Sequence, residues 1–331
     1  MNAIINLLKP AGMSSHDAVY LLRKLTGFKH IGHTGTLDPM AAGVLPLCLN
    51  SAARINEYLD MDRKTYRCEM ILGLTTETMD IWGDVVEDRR NQIGGITEED
   101  VRKAMEPIQG LILQTPPKYS AVRIDGRRLY DYARSGDEVK IPKRPVVIYS
   151  LDLVKVDLEK GRILFDVVCS KGTYIRSICH DVGEALGVGA CMSFLVRSAT
   201  GAFTLENAVT PEQLQEDWTK YTIPADLPLP HLGKLHLRKG RGAWFSNGGW
   251  LMNSDLVDRQ DPCVMEELKK AFHAEGGDML AVEDVMKHID IDEKLLSTYC
   301  VYEDGLFLGT AVWKEDQKKY IADKVFRHEG F

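Results

Sequence analysis

The stretch that most constrains this chain is Lys29 to Asn50, KHIGHTGTLDPMAAGVLPLCLN, in which a loop of small and polar residues leads into an apolar strand. Gly32 and Gly35 permit backbone angles and close approaches that a side chain would obstruct. Pro39 has no amide proton and biases Asp38 toward an extended conformation. The pattern therefore predicts one carboxylate, Asp38, held in a fixed direction, although an isolated Asp-Pro pair is also common in ordinary turns.

Length and composition predict a large catalytic domain with a smaller additional domain. The chain has 331 residues, and its hydrophobic content of 44% is enough for a sizeable core. No apolar run comes near the ~20 residues that span a bilayer, and the N-terminus lacks a basic region before its short apolar patch, so we expect a cytoplasmic protein. The seven cysteines are scattered and contain no CxxC pair, which disfavours a disulfide framework and a zinc site.

The charge is unevenly distributed along the chain. The formal net charge of −7 argues at first against a nucleic-acid partner, because phosphate contacts need Lys and Arg. However, Asp255 to Asp304 alone carries a net charge of −9, whereas Lys118 to Arg144 carries a net charge of +4. A basic patch on an acidic protein can still bind RNA.

Local patterns predict both strands and helices. Predicted strands cover Asn2–Leu8, Tyr66–Leu72, Val146–Val156 and Arg162–Cys169, with further pieces near 301–302, 307–313 and 320–326. Predicted helices follow a cap at Ser14 or Ser15, cover Ala52–Leu59 and Ile96–Met105, and begin at Gly172 and Thr173. The three prolines of 224–235 predict a linker, and 255–298 reads as an acidic, helix-prone insert.

Several motifs together resemble the bacterial TruB family, the tRNA pseudouridine-55 synthases. The run GHTGTLDPMAAGVLP is similar to the family signature, and KPAGMSS is similar to its KPxGxTS element. The runs KTYRCEMILGLTTETMDIWGDV and CSKGTYIRSICHDVGEALG resemble KxYxxxxxLGxxTDTxDxxG and CxxGTYIRxLxxDxGxxLG. The likeness covers about residues 1–205 well and the rest poorly.

The resemblance implies three catalytic residues. Asp38 takes the place of the nucleophile of the GTLDP element, and Arg176 takes the place of the arginine that forms an ion pair with it. Tyr66 corresponds to the active-site tyrosine, which we interpret as the ring over the flipped uracil. A role for Tyr66 in proton transfer is a further hypothesis.

The resemblance also implies the substrate-binding residues. His33 fills or braces the space left by the flipped nucleotide, Tyr174 lies in the wall near the base, and Leu195 is the apolar floor. Asp80 matches the second acidic position, while Glu77 stands where Asp is usual. In SFLVRSATGAF, Val196 departs from the family's Arg pair and only Arg197 remains, which implies that one phosphate or structural contact of the pair is missing.

A basic segment completes the predicted RNA-binding surface. Its cations, which include Lys118, Arg123, Arg127 and Arg128, alternate with tyrosines, a combination that suits irregular RNA. The segment is similar to QxPPxYSAxKxxGxxxYxxAR, part of which forms a mobile thumb over the tRNA elbow. In isolation the same residues would also suit a solvated surface hairpin.

The resemblance implies an α+β protein with the pseudouridine synthase fold: a mostly antiparallel mixed sheet with a central cleft, followed by a small C-terminal PUA-like β domain. The implied domains are a catalytic domain at 1–223 with a thumb-like RNA-binding segment at about 112–145, the linker at 224–235, and the PUA-like domain at 236–331 containing the acidic insert.

The implied activity is isomerisation of uridine to pseudouridine at position 55 in the T arm of tRNA. It proceeds by base flipping and an Asp nucleophile, without cofactor or metal, in a monomer with no membrane contact. The alternative is a tRNA-binding folding chaperone in which catalysis is secondary. A purely structural acidic protein is favoured only by the C-terminal insert.

Overall fold

The computed structural model describes residues 1–59, 63–264, 266 and 293–326 of the chain. Most of the predicted acidic insert, 267–292, lies outside the described residues. Among the helices of these ranges, none is long and apolar enough to cross a membrane.

The described residues form nineteen strands and six α-helices, with single helices between runs of one to five strands. The strands are β1 Ala3–Lys9, β2 Ile31–His33, β3 Ala42–Leu49, β4 Lys64–Leu72, β5 Leu74–Thr76, β6 Val85–Asp88, β7 Gly110–Gln114, β8 Arg123–Ile124, β9 Arg127–Arg128, β10 Arg144–Asp157, β11 Arg162–Cys169, β12 Ala190–Thr200, β13 Phe203–Thr204, β14 Ile223–Pro224, β15 Gly233–Leu237, β16 Leu256–Gln260, β17 Thr298–Glu303, β18 Leu306–Lys314 and β19 Lys319–Val325. The α-helices are α1 Ser15–Thr26, α2 Glu98–Met105, α3 Leu129–Ser135, α4 Ile175–Ala185, α5 Pro211–Asp217 and α6 Gly242–Ser246.

The described residues form two compact units. The first lies within 1–62, 199–286 and 290–331, and the second comprises 63–198. The predicted domain boundaries describe a different division and stay a prediction. Within the predicted linker, Ala225, Leu229 and Leu232 are buried in the first unit.

In the first unit, β1 lies antiparallel between β3 and β14, and β2 pairs with β3. The apolar run after the Asp38 loop is β3, and seven of its eight residues are buried. Helix α1 is capped by Ser14, whose side chain accepts a hydrogen bond from the Asp17 N–H, so Ser14 is the cap of the two predicted candidates.

The first unit also contains a five-stranded sheet in the order β16-β15-β17-β18-β19. Strands β15 and β17 are parallel, and the other pairs are antiparallel. The strands predicted near 301–302, 307–313 and 320–326 are therefore confirmed as β17, β18 and β19.

In the second unit the strands follow the order β12-β4-β11-β10-β7. Strands β10 and β11 form a long antiparallel hairpin, and β11 pairs antiparallel with β4. Helix α4 approaches β12 closely at Gly183, where a Cβ atom would lie 2.1 Å from the Ala190 nitrogen. That contact explains why the DVGEALG motif has glycine at this position.

Most predicted elements are confirmed, with one difference in type. Tyr66, Cys68, Met70 and Leu72 are buried at alternate positions of β4, as the period of two predicts. The predicted helix at Ala52–Leu59 is instead a 3-10 helix over Asn50–Tyr58. The helix predicted to begin at Gly172 and Thr173 begins later, at Ile175, because Gly172 has a φ of +85° that a right-handed helix does not contain.

Candidate active site

The backbone on both sides of Asp38 is held by the KPAGMSS motif of the same unit. The Ser15 hydroxyl donates to the Leu37 carbonyl and accepts from the Leu37 N–H, both at 2.9 Å. The Gly12 N–H donates to the Pro39 carbonyl at 2.8 Å. With its two neighbours fixed, the half-buried Asp38 has little backbone freedom.

A buried lysine shapes the turn that contains Gly12. Lys9 is 0% exposed, and its Nζ donates to the Pro10 and Met13 carbonyls at 2.9 and 2.6 Å. A buried ammonium group is costly unless its donors are satisfied, so these carbonyls hold both Lys9 and the turn in place. The KP pair therefore supports the Asp38 loop indirectly.

His33 lies in the same unit at the end of β2, opposite Leu47 of β3. Its carbonyl accepts a hydrogen bond from Asn56 at 3.1 Å, and the residue is half-buried. Its predicted role at the flipped nucleotide stays a prediction.

In the second unit, Arg176 occupies the first turn of α4, as predicted, and is 5% exposed. Its Nη1 donates to the Thr78 carbonyl at 2.9 Å, and its Nη2 donates to the Tyr119 carbonyl at 3.0 Å. Arg176 Nη1 also lies 3.8 Å from Asp80 Oδ2. The guanidinium therefore connects α4 to the two segments that contain Thr78 and Tyr119.

Asp80 ends a tight turn that is fixed by its own motif. Its Oδ1 accepts from the Thr78 hydroxyl at 2.9 Å and from the Trp82 N–H at 3.0 Å. Met79 has a φ of +62°, and a Cβ atom at Gly83 would lie 2.3 Å from Thr78 Oγ1. The TETMDIWG motif therefore builds a compact turn that presents Asp80 to Arg176.

Two side chains attach the start of the basic segment to the start of α4. Gln114 accepts from the Tyr174 N–H at 2.8 Å and donates to the Tyr174 carbonyl at 3.0 Å. The Ser177 hydroxyl donates to the Thr115 carbonyl at 2.8 Å. The QTPP motif thus satisfies backbone groups at the N-terminus of the helix that carries Arg176.

Tyr66 and Leu195 lie on neighbouring strands of the second unit. Tyr66 is on β4, opposite Val167 of β11, and Leu195 is on β12. The two residues are 6% and 5% exposed. Both residues are buried, and their predicted roles beside the flipped base stay predictions.

A cavity of about 1160 Å³ lies within the second unit and is lined by β5, β6, α4 and the basic segment. Lys118, Tyr119 and Glu77 are on its wall, together with His180 of α4. Lys118 is exposed, as are Arg123 and Arg128, whereas Arg127 is half-buried.

The sequence was compared with known proteins. The N-terminal domain of the TruB family pseudouridylate synthases matches residues 23–175, and the C-terminal domain of tRNA pseudouridylate synthase B matches 176–229. A tRNA pseudouridine synthase B of Alkaliphilus oremlandii is 42% identical over 280 residues, covering 82% of this chain and 91% of the relative. One of Clostridium perfringens is 41% identical and covers 99% of this chain and 100% of the relative.

The chain belongs to the TruB family. Solved structures support the predicted pseudouridine synthase fold of that family. An H/ACA RNP bound to a substrate RNA containing 2'-deoxyuridine has a chain with a TM-score of 0.67 and 22% identity, covering 99% of this chain and 86% of that one. A Cbf5-Nop10-Gar1 complex has a chain with a TM-score of 0.66 and 24% identity, covering 98% of this chain and 84% of that one.

The structure brings together some of the residues that the TruB motifs predict. Arg176 and Asp80 share a contact that we predicted for neither, and Tyr174 is the N-cap residue of the helix that carries Arg176. The ion pair between Arg176 and Asp38 stays a prediction, because the two residues belong to different units.

Three residues for which we predicted no role in the site support the TruB motif side chains. Ser15, Thr78 and Gln114 act through hydrogen bonds to backbone or to Asp80. Each of them lies inside one of the motifs, and that position was the signal in the sequence that could have indicated a supporting role. Arg197, the remaining arginine of the family's pair, is 0% exposed and lies in the interior of the fold.

Proposed function

We propose that this chain isomerises uridine to pseudouridine at position 55 in the T arm of tRNA, with Asp38 as the nucleophile. Membership of the TruB family supports the activity. The single observation that carries the assignment of Asp38 is its fixed backbone, since Leu37 is bound by Ser15 and Pro39 by Gly12. The proposal is for a monomeric, cytoplasmic enzyme.

The reaction needs a nucleophile but no redox step. The N1–C1′ bond breaks, the uracil turns within the site, C5 joins C1′, the C5 proton leaves to solvent, and N1 takes up a proton, so that the product is an isomer of the substrate. A carboxylate divides this exchange into easier steps, either by attacking the ribose or by promoting a glycal-type intermediate. Asp38 fits both routes, and neither requires a cofactor.

Arg176 is proposed as the counter-ion of Asp38. Its guanidinium is buried and oriented by the Thr78 and Tyr119 carbonyls, which accept hydrogen bonds without neutralising the positive charge. A buried cation favours the ionised form of a nearby carboxylate. Asp80 takes part in the same network and is proposed to orient Arg176.

The target uridine must leave its stack before a carboxylate can reach C1′. Stacking on an aromatic ring contributes about 1–3 kcal/mol per base, which offsets the cost of extrusion. We assign this ring to Tyr66, the apolar floor to Leu195 and the wall near the base to Tyr174. His33 braces the space that the nucleotide vacates.

Release of tritium from tRNA labelled at uracil C5 tests the proposal. We expect the full chain to release label from the T-arm uridine, and Asp38→Asn to bind the same tRNA without releasing label. Asp152→Asn, an exposed aspartate on β10, is the matched control and should keep full activity. Turnover by Asp38→Asn would remove Asp38 from its role.

The same assay separates the chaperone alternative. If the unmodified chain binds tRNA and accelerates its folding but releases no tritium, the enzyme proposal is wrong and the chaperone is favoured. Mapping the modified nucleotide in the product tests the assignment to position 55.

A further inference from the structure

Two adjacent arginines of the basic segment have different environments. Arg127 and Arg128 form β9, which pairs with β8 and leads directly into helix α3. Sequence alone treats them as equivalent cations. The structure separates them by what their guanidinium groups contact.

Arg127 is bound within the segment itself. Its Nη1 lies 2.7 Å from Asp137 Oδ2, and its Nη2 donates to the Asp131 carbonyl at 2.7 Å and to the Ser135 hydroxyl at 2.6 Å. The guanidinium also lies over the ring of Tyr132, 4.4 Å from its centroid. These contacts attach Arg127 to both ends of α3.

Asp137 is equally well held. It accepts from the Ser135 hydroxyl at 2.6 Å as well as from Arg127. These hydrogen bonds, first from Ser135 and then from Arg127, lower the pKa of the Asp137 carboxyl, so it is ionised at neutral pH. A phosphate that approached Arg127 would have to displace this carboxylate, and the exchange would gain little charge neutralisation.

Arg128 and Arg134 are arranged differently. Both are exposed, and their guanidinium carbons lie 5.6 and 5.4 Å from the centroid of the same ring, Tyr130. Arg128 Nη1 also donates to the Tyr130 hydroxyl at 2.6 Å. Within the part of the chain that the structure describes, neither arginine forms an ion pair with a carboxylate.

This arrangement places two positive charges beside one ring. A guanidinium whose orientation is already set by a ring contact or a hydrogen bond loses less rotational freedom when it binds a phosphate oxygen. Because no carboxylate neutralises the pair, phosphate binding there releases counterions from the RNA, which makes the affinity depend on salt.

We propose that Arg128 and Arg134, oriented by Tyr130, form the phosphate-binding site of the basic segment, and that Arg127 is a positioning residue that holds in place helix α3, which carries Tyr130 and Arg134. The inference rests on the proposed function, with tRNA as the substrate. It divides the protein residues that the basic segment offers to tRNA into phosphate-binding and positioning residues. The ligand is the sugar-phosphate backbone of the RNA.

The salt dependence of tRNA binding tests this division. Arg128→Gln and Arg134→Gln should each lower the slope of log K against log salt by about 0.7–0.9, the change for one lost phosphate contact. Arg127→Gln should weaken binding without changing the slope. Asp137→Asn should do the same, and the double variant Arg127→Gln/Asp137→Asn should bind no more weakly than either single variant, because both remove one contact.

Arg102→Gln is the matched control, since Arg102 is an exposed, ion-paired arginine on α2 of the same unit. It should change neither the affinity nor the slope. The thermal midpoints of Arg128→Gln and Arg134→Gln should equal that of the unmodified chain because both side chains are exposed.

Two results would overturn the inference. A lower slope in Arg127→Gln would make Arg127 a phosphate contact. Tighter binding with a steeper slope in Asp137→Asn would show that Asp137 competes with RNA for Arg127. Tritium release by the unmodified chain is measured separately, so failure of the proposed isomerase activity is distinguishable from failure of this division.

Discussion

At the scale of single residues, the site depends on how one buried cation is satisfied. Arg176 is 5% exposed and binds two carbonyls in addition to Asp80. Removing water from a charge is costly, and the cost is offset only when its donors and its charge are matched. Asp80 is 6% exposed and has its own donors in Thr78 and Trp82. The positive charge of Arg176 and the negative charge of Asp80 therefore offset part of each other's cost of burial.

We predict that Asp80→Ala lowers the free energy of unfolding by about 1–3 kcal/mol, because the Thr78 hydroxyl and the Trp82 N–H lose their acceptor and Arg176 loses one of its contacts. Asp80→Asn keeps an oxygen that accepts from Thr78 and Trp82, so it should be less destabilising. Denaturant unfolding of the two variants measures the difference. Equal stability of Asp80→Ala and the unmodified chain would contradict the role of this pair.

At the scale of elements, the start of helix α1 performs two separate tasks. Ser14 caps the helix through a reciprocal pair of hydrogen bonds with Asp17. Ser15, one residue later and 4% exposed, binds the backbone of Leu37 instead. Adjacent side chains on a helix point in different directions, so one serine stabilises the helix and the other the Asp38 loop.

We predict that Ser15→Ala lowers stability by about 1–3 kcal/mol, because buried backbone groups of Leu37 lose their partner. It should also lower the rate of tritium release at saturating tRNA. Ser14→Ala is the control. Loss of the N-cap should lower the free energy of unfolding by about 1 kcal/mol and leave the rate of tritium release unchanged. An unchanged rate of tritium release in Ser15→Ala would show that the hydrogen bonds between Ser15 and Leu37 are not needed for catalysis.

At the scale of the whole molecule, the N-terminal strands share a core with the C-terminal sheet. One buried cluster of the first unit combines N-terminal residues such as Ile4, Val44 and Ile55 with C-terminal ones such as Phe307 and Phe326. Residues more than 250 positions apart are joined again by the hydrogen bond between the Tyr58 and Thr310 hydroxyls. The C-terminal segment is therefore part of the fold of the first unit.

We predict that a chain ending at residue 235, the end of the predicted linker, has a lower thermal midpoint and binds a hydrophobic dye, because it leaves part of this cluster exposed. The full-length variant Phe307→Ala removes a single side chain of the cluster and should lower the free energy of unfolding by about 3–5 kcal/mol. If the shortened chain keeps the midpoint of the full chain, the predicted boundary is a true domain boundary and the shared core contributes little.

The amino-acid sequence alone predicted strands β1, β4, β10 and β11, a cap for α1 at one of two serines, and the motif positions of Asp38, Tyr66 and Arg176. Those signals are local, since alternation and capping act between residues two to four positions apart. The tertiary structure decided which groups satisfy Arg176, whose carbonyl partners lie 98 and 57 positions away. It also decided that Arg127 is held by Asp137 while its neighbour Arg128 is not, because a charged side chain takes its properties from the groups that folding brings beside it.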